Sequence, residues 1–245
     1  MKTLHLLAAS ALALLSSCSK TQEAASGNTT IDLFSGTDLT SWEGNPKLWS
    51  VQDGAITGIT PPDPANPTKG ILKHNTFLVW KGGTVGDFEL TFQYRIEKGN
   101  SGVQYRSKAL PPGEFGPIIS GYQADFEAGD KYSGILYEER GRGILAERGQ
   151  RTRITEVNGQ TKITKVGDLS SSAELQANIK ANDWNDYVIV ADGNHLNHFI
   201  NGRMTIDVVD DQPSKAARSG VLALQIHAGP PMLVQFKDIR IKRLP

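Results

Sequence analysis

The sequence has 245 residues, and its 26 basic and 26 acidic residues leave a formal net charge of zero. This balance excludes the basic surface that nucleic-acid-binding and anionic-membrane-binding proteins use. The single cysteine, Cys18, excludes an internal disulfide and a zinc site built on cysteines, so the fold has to depend on its hydrophobic core.

The N-terminus has the pattern of a bacterial lipoprotein signal. Lys2 precedes the apolar run Leu4–Leu15, and Leu15-Ser-Ser-Cys18 resembles a lipobox. We expect residues 1–17 to be a signal peptide, Cys18 to be acylated after cleavage, and residues 18–30 to form a flexible tether. The mature protein is then lipid-anchored at the bacterial cell envelope, in the periplasm or on the outer-membrane surface. The alternative is an ordinary signal peptide with an incidental Cys.

Residues 31–245 have the pattern of a single domain made of short strands. Asp53-Gly54 predicts the turn of a hairpin within residues 49–56. Four prolines in residues 60–69 predict a surface loop, and a strand is predicted at 71–80. Apolar and polar residues then alternate from Phe88 to Ile96, which predicts a strand with one buried and one wet face.

The segment after this strand predicts a hairpin. Lys98–Gly102 is a turn, because Gly and Asn tolerate positive φ, and residues 103–106 return as a strand. The polar face of the hairpin then carries Gln93, Arg95, Gln104 and Arg106. Three prolines predict a loop over 109–120. Further strands are predicted at 121–127, 133–140, 184–191, 196–200, 204–209, 220–227 and 234–241, with a Ser-capped helix at 170–178.

Short strands, frequent Gly and Asn turns and almost no helix predict an all-β fold, a two-sheet antiparallel β-sandwich. Seven motifs occur in an order that resembles the 3-keto-disaccharide hydrolase domain family: Leu33–Trp42, Asn100–Arg106, Gly121–Asp125, Gly134–Tyr137, Trp184-Asn185, Leu224–His227 and Phe236–Ile241. The resemblance covers residues 31–244. It implies a concanavalin A-like jelly roll that is secreted or lipid-anchored and acts on oxidised sugars in bacterial carbohydrate catabolism.

Strand parity predicts that six polar side chains share the concave face of one sheet. The six residues are Gln104, Arg106, Gln123, Asp125, Gln225 and His227. Their amides, guanidinium, carboxylate and imidazole can hydrogen-bond to the hydroxyl donors and acceptors of a sugar. We also assign Arg95, Asn100 and, as a stacking platform, Trp80 to substrate binding. The alternative interpretation is a solvated sheet face without a ligand.

Two reaction types fit this face. Conventional glycoside hydrolysis needs two carboxylates; Glu138 and Glu139 are adjacent and point to opposite faces of a strand, which leaves Asp125 with Glu138, or Asp125 with Glu127. A 3-keto sugar instead needs one base and a stabiliser for an enolate, because the ketone acidifies the C2 hydrogen.

For this elimination followed by hydration we predict His227 as the base, since an imidazole titrates near neutral pH. Arg106 is predicted to stabilise the enolate, and Asp125 to orient the imidazole or to act itself. The predicted partner is an oligosaccharide or an oxidised sugar. The alternatives are a conventional carboxylate glycosidase and a non-catalytic carbohydrate-binding lipoprotein. No cofactor or metal centre is predicted, although Asp125, Glu127 and Asp130 could ligate calcium.

Overall fold

The computed structural model describes residues 29–245. This part of the chain contains nineteen strands and one short helix. The predicted signal peptide, Cys18 and the tether up to residue 28 lie outside the described residues. Between residues 29 and 245, no helix has the length and apolar character needed to cross a membrane.

In chain order the elements are β1 (Thr30–Asp32), β2 (Trp42–Glu43), β3 (Trp49–Gln52), β4 (Ala55–Thr60), β5 (Pro62–Asp63), β6 (Asn66–Gly70), β7 (Thr76–Trp80), β8 (Phe88–Lys98), β9 (Asn100–Gly113), β10 (Gly116–Glu127), β11 (Leu136–Glu139), β12 (Gly143–Ala146), β13 (Gln150–Val157), β14 (Gln160–Asp168), α1 (Ser172–Ala177), β15 (Asn185–Asp192), β16 (His195–Ile200), β17 (Arg203–Asp210), β18 (Val221–Ile226) and β19 (Met232–Arg243).

The strands form two large sheets. The ten-stranded sheet has the order β14-β13-β17-β16-β15-β8-β19-β4-β3, with β1 also paired to β19. The seven-stranded sheet has the order β12-β11-β10-β9-β18-β7-β2, and β5 and β6 form a small separate ribbon. The pairings are antiparallel except for the parallel pair β13 and β17. The predicted all-β, two-sheet sandwich is therefore confirmed.

The hydrophobic core lies between the two large sheets. Alternate residues of β8, beginning with Phe88, are buried, because a strand directs successive side chains to opposite faces. Tyr94 of β8 packs against Phe126 of β10 with ring centroids 4.0 Å apart, and Phe92 stacks on Tyr187 at 5.1 Å. The first contact joins the two sheets, and the second lies within the ten-stranded sheet. With these side chains packed inward, the other face of each sheet is left for solvent or ligand.

The predicted hairpin of residues 88–106 is wrong in one respect: its two strands lie in different sheets. β8 belongs to the ten-stranded sheet and β9 to the seven-stranded sheet. The chain crosses between them at Gly99, which has φ +84° and where a Cβ would lie 2.8 Å from the Cβ of Met232. The polar side chains of Gln93 and Arg95 on β8 and of Gln104 on β9 therefore lie on opposite outer faces of the sandwich.

The predicted loop at 109–120 is also different in the structure. β9 and β10 stay paired as far as Gly113 and Gly116, after a register shift between Ser120 and Tyr122. The hairpin tip crosses the outer face of the seven-stranded sheet, where Ile119 packs against Phe77 and Ala223. The tip thus covers the β18–β7 half of that face and leaves the other half open.

The predicted short helix is present as α1, with Ser171 as its N-cap and a capping box to Glu174. The β13–β14 hairpin was not predicted from the sequence. β14 is mostly exposed, so its residues show little of the apolar alternation that identifies a half-buried strand.

Candidate functional site

A cavity of about 430 Å³ opens on the uncovered half of the seven-stranded sheet. Its volume falls in the range of small-molecule sites, roughly 300 to 1,000 Å³. The polar part of its lining combines amides, carboxyls and an imidazole: Asn75, Asn100, Gln123, Asp125, Glu127, Glu139 and His227. Tyr132, Ile135, Tyr137 and Ile144 form the rest of the wall.

Strand register explains why the floor of the cavity is polar. Gln123 and Asp125 are two residues apart on β10 and therefore point to the same face. Gln123 lies opposite Gln104 of β9, and Asp125 lies opposite Gly102. A Cβ at Gly102 would come within 2.6 Å of the Gln123 Cγ and 2.8 Å of the Ala124 carbonyl oxygen. The glycine thus makes room for side chains to meet above β9.

Three buried glutamines form a hydrogen-bonded row across three strands. The Gln104 side-chain amide donates to Gln123 Oε1 at 2.6 Å, and Gln225 Nε2 donates to the same oxygen at 2.9 Å. Gln123 Nε2 in turn donates to Asp125 Oδ2 at 3.1 Å. Because each member is held by its neighbours, the row fixes the position of the Asp125 carboxyl.

Asp125 is a buried carboxyl without a cationic hydrogen-bond partner. Burial raises its pKa to about 8, although hydrogen bonds from Asn100 and Gln123 act in the opposite direction. The Asn100 bond to Oδ1 measures 2.6 Å. With this pKa, Asp125 is largely protonated at pH 7 and is able to act as a hydrogen-bond donor or a general acid.

Glu139 is the second carboxyl of the cavity, and it was not among the predicted site residues. It accepts hydrogen bonds from Asn75 Nδ2 at 3.1 Å and from Gln225 Nε2 at 3.4 Å. Burial raises the pKa of Glu139, an effect that the Asn75 hydrogen bond and the charge of nearby His227 partly offset. The cavity therefore combines two carboxyls of raised pKa with a half-buried imidazole.

Glu138, the predicted catalytic carboxylate, lies outside this cavity. Its neighbour Glu139 faces the cavity, so Glu138 points to the other side of β11. There it accepts a hydrogen bond from Arg142 Nε at 2.8 Å, and Arg142 also pairs with Asp210 at 2.7 Å. Strand register, which the sequence does not reveal, decides which of the two glutamates faces the cavity. Glu138 is corrected to a structural ion-pair residue.

Arg106 also lies outside the cavity, contrary to the prediction. It has φ +47° and follows Tyr105, where the register of β9 against β10 shifts. The shift breaks the strict alternation on which the prediction relied. The buried guanidinium donates to the carbonyls of Gly86 at 2.8 Å and Gly193 at 2.6 Å and pairs with Asp87. Arg106 therefore ties loops together and does not line the cavity.

Two predicted substrate contacts are elsewhere in the fold. Arg95 lies on the outer face of the ten-stranded sheet, where Nε donates to Gln235 Oε1 at 3.0 Å and the guanidinium lies 5.0 Å from the Trp184 ring centroid. Trp80 is part of the hydrophobic core and pairs with Trp42 across β7 and β2. Neither side chain lines the cavity, because β8 lies in the other sheet and Trp80 points inward.

The remaining predicted residues come together. Gln123, Asp125, Asn100 and His227 line the cavity, and the amide row links the first of them to Gln104 and Gln225. Within residues 29–245, no group of three or more His, Cys, Asp or Glu side chains is arranged to hold a metal ion. The absence of a cofactor, with calcium on Asp125, Glu127 and Asp130 as the alternative, stays a prediction.

Structural comparison shows the same fold in other bacterial proteins. A galectin-like protein of unknown function from Bacillus subtilis aligns with a TM-score of 0.56 and 13% identity over 88% of this chain and 94% of its own. Two structures of a candidate glycosyl hydrolase from Parabacteroides distasonis give TM-scores of 0.53 and 0.51, with 18% and 17% identity, over 88% and 89% of this chain and 94% and 100% of theirs. At these identities the likeness concerns the fold alone.

Family comparison is more specific. No curated protein matches the sequence, but the model of the 3-keto-alpha-glucoside-1,2-lyase-like domain matches residues 29–242. That range spans most of the chain and includes all the residues of the cavity. The resemblance found in the sequence motifs is thereby confirmed, and the chain belongs to the 3-keto-alpha-glucoside-1,2-lyase-like domain family and is a carbohydrate-active, glycoside hydrolase-like protein.

Proposed function

We propose that this protein cleaves 3-keto-glycosides, including 3-keto-disaccharides, by elimination across C1 and C2, with hydration of the product completing a net hydrolysis. Membership in a lyase-like family supports the elimination step. The observation that carries the proposal is one cavity lined by Asp125, Glu139 and His227, in which burial raises the pKa of both carboxyls.

The reaction needs a base, a donor to the ketone and a proton for the leaving group. The base takes the C2 hydrogen as a proton, and the electron pair of the broken C2–H bond passes into the enolate of the C3 ketone. The enolate then forms the C1=C2 bond as the C1–O bond breaks, and the leaving oxygen takes a proton. Addition of water, with its oxygen to C1 and a hydrogen to C2, gives the net hydrolysis products.

His227 is the proposed base. It lines the cavity beside Glu139, and an imidazole accepts a proton readily near neutral pH. The Glu139 carboxylate then lies close to the imidazolium that forms and stabilises its charge. Asn75 and Gln225 hold Glu139 in place through hydrogen bonds, so the pair is preorganised for the proton transfer.

Asp125 takes the role that was predicted for Arg106. Since its pKa is raised to about 8 by burial, the protonated carboxyl donates a hydrogen bond to the C3 oxygen, where negative charge develops. Tyr137 supplies a further donor for the leaving oxygen. Burial, with Glu139 and Asp125 adding to it, raises the pKa of its hydroxyl and keeps it protonated.

Product analysis tests this proposal directly. The full chain is incubated in D₂O with a 3-keto-disaccharide and, in parallel, with the same disaccharide unoxidised, and both reactions are followed by NMR. We expect release of the leaving sugar and deuterium at C2 from the oxidised substrate alone. Equal cleavage of the unoxidised sugar supports a conventional glycosidase, and retention of both sugars without any product supports a binding lipoprotein.

We also propose that the protein is anchored to the bacterial envelope through a lipid on Cys18, after removal of residues 1–17. The support is the charged start, apolar run and lipobox-like sequence of the N-terminus. Labelling of the expressed protein with a fatty acid analogue, followed by membrane fractionation, provides the test. Cys18→Ser is expected to abolish labelling; unchanged labelling and fractionation of this variant contradict the anchor.

A further inference from the structure

We propose that the leaving sugar of the substrate binds in a second cavity adjoining the first, and that Tyr132 and Ile144 contact it where the two cavities meet. The inference rests on the proposed function, since it names the position of the leaving group in that reaction. It assigns the 3-keto ring to the cavity of Asp125 and His227 and the second ring to the neighbouring space.

The two cavities adjoin each other. The second has a volume of about 450 Å³ and shares Tyr132, Ile135 and Ile144 with the first. Beyond this shared wall it is lined by Lys131, Glu147, Arg148 and Ser172, among others. A ligand with two rings joined by one oxygen would therefore pass the shared wall at its glycosidic link and place one ring in each space.

The shared wall is largely apolar, and part of it is open to solvent. Ile135 is buried, but Ile144 is 40% exposed, although it lies next to two polar cavities. Apolar side chains beside convergent polar groups are the usual composition of a ligand site. The wall matches the C–H face of a sugar ring, and an aromatic ring such as that of Tyr132 presents both an apolar face and a hydroxyl for this purpose.

The other side chains of the second cavity have the opposite chemistry. Glu147 supplies a carboxylate acceptor, Ser172 a hydroxyl that serves as donor or acceptor, and Lys131 an ammonium donor whose Nζ lies 4.9 Å from the Tyr132 ring centroid. A leaving group with hydroxyls around its rim would match these groups, whereas a flat aryl group would leave them without partners. The combination therefore favours a sugar as the leaving group.

The loop that carries Tyr132 is held rigidly. Glu127 Oε1 accepts hydrogen bonds from the backbone N–H groups of Lys131 and Tyr132, both at 2.8 Å. The buried guanidinium of Arg148 donates to the carbonyls of Asp130 and Ser133, both at 2.7 Å. Because the loop is fixed before a ligand arrives, little conformational entropy is lost on binding.

The test compares two substrates that differ only in the leaving group, a 3-keto-disaccharide and the methyl 3-keto-glucoside. For Tyr132→Ala and for Ile144→Ser we expect the ratio of kcat/KM for the disaccharide to that for the methyl glucoside to fall about tenfold. Ile163→Ser is the matched control, since Ile163 is 41% exposed on β14 and lines neither cavity; it should leave the ratio unchanged.

A second measurement separates this inference from the proposed reaction. Binding of an unreactive disaccharide and of its methyl monosaccharide to the full-length His227→Gln protein is measured with and without Tyr132→Ala. Selective weakening of disaccharide binding supports the second subsite even if the reaction differs from the one proposed. Equal losses for both ligands, or no loss for either, overturn it, and an unchanged kinetic ratio in both variants does the same.

Discussion

Glu138 and Glu139 are neighbours on β11, yet they belong to different regions of the molecule. Glu138 pairs with Arg142, which also pairs with Asp210 of β17, so the ion-pair network joins the two sheets. Glu139 faces the cavity, where its hydrogen-bond donors are the neutral amides of Asn75 and Gln225. Two carboxyls with the same local sequence context therefore have different electrostatic environments.

The difference shows how a buried carboxyl becomes available for chemistry. A guanidinium stabilises the ionised carboxylate and makes it a structural element, whose loss leaves an uncompensated charge. At Glu139 the amide donors and the more distant, half-exposed guanidinium of Arg140, whose Nε lies 3.9 Å from Oε1, do not outweigh burial, which raises the pKa. At Asp125 amide donors alone do not outweigh it. Groups with such raised pKa values, open to a cavity, are typical of functional sites.

The largest expected effect concerns the cavity. His227→Gln removes the proposed base, and we expect kcat/KM on a 3-keto-disaccharide to fall about 10²- to 10⁴-fold. His195→Gln is the control, because His195 is on β16 of the other sheet, where it pairs with Asp207. Steady-state kinetics and a thermal melt check both variants. Full turnover by folded His227→Gln would contradict the assignment.

Replacing each glutamate separately by glutamine tests whether the ion-pair network and the cavity differ in their contributions to stability and activity. Glu138→Gln removes one of the charges that Arg142 balances, and we expect it to lower the free energy of unfolding by about 3 kcal/mol. Glu139→Gln is expected to keep or raise stability, since burial disfavours its charged form, while lowering kcat. Denaturant unfolding and kinetics on both variants provide the measurement; equal stability losses would show that the regions do not differ as described.

The pH dependence of stability tests whether burial keeps the Asp125 carboxyl protonated in the folded protein. The folded-state pKa of about 8 exceeds the ordinary aspartate pKa of 3.8, so the contribution of Asp125 to stability is complete below about pH 4 and is lost progressively as the pH rises to 8. Between pH 5 and pH 8, Asp125→Asn should gain roughly 3 to 4 kcal/mol relative to the native chain, because the unfolded chain has released this proton over most of that range and the folded chain has not. Denaturant unfolding at both pH values measures this.

A matched carboxylate controls the experiment. Asp168 is exposed at the end of β14, where it pairs with Lys165, and Asp168→Asn should leave the pH slope unchanged. If Asp125→Asn keeps the slope of the native chain, Asp125 is ionised in the folded protein at neutral pH, and its role as a proton donor has to be abandoned.

Local pattern was sufficient for the fold class and for part of the cavity. Alternation along β10 and β18 is a property of neighbouring residues, so it correctly brought Gln123, Asp125 and Gln225 to one face. The same parity placed Gln104 beside them. A regular strand needs no knowledge of distant partners for this inference.

The rest depended on contacts between distant segments. The assignment of β8 and β9 to different sheets removed Arg95 from the site. A register shift turned Arg106 toward Gly86 and Asp87. The choice between Glu138 and Glu139 follows from the register of β11 against β10. Sheet membership, bulges and register are set by tertiary pairing, which a local pattern does not encode.

The smallest effect tests how far the cavity depends on its supporting row. Gln104 does not line the cavity but donates to Gln123 and accepts from Ser107 Oγ at 2.8 Å. In Gln104→Leu, Gln123 Oε1 still accepts from Gln225, so we expect a stability loss of only about 1 kcal/mol and a modest fall in kcat with KM unchanged. Because Gln123 orients Asp125, the pH–rate profile should shift as well. A stability loss with an unaltered profile would mean that Gln104 supports the sheet without positioning Asp125, whereas recovery of the profile in Gln104→Asn would identify the hydrogen bond itself as the positioning element.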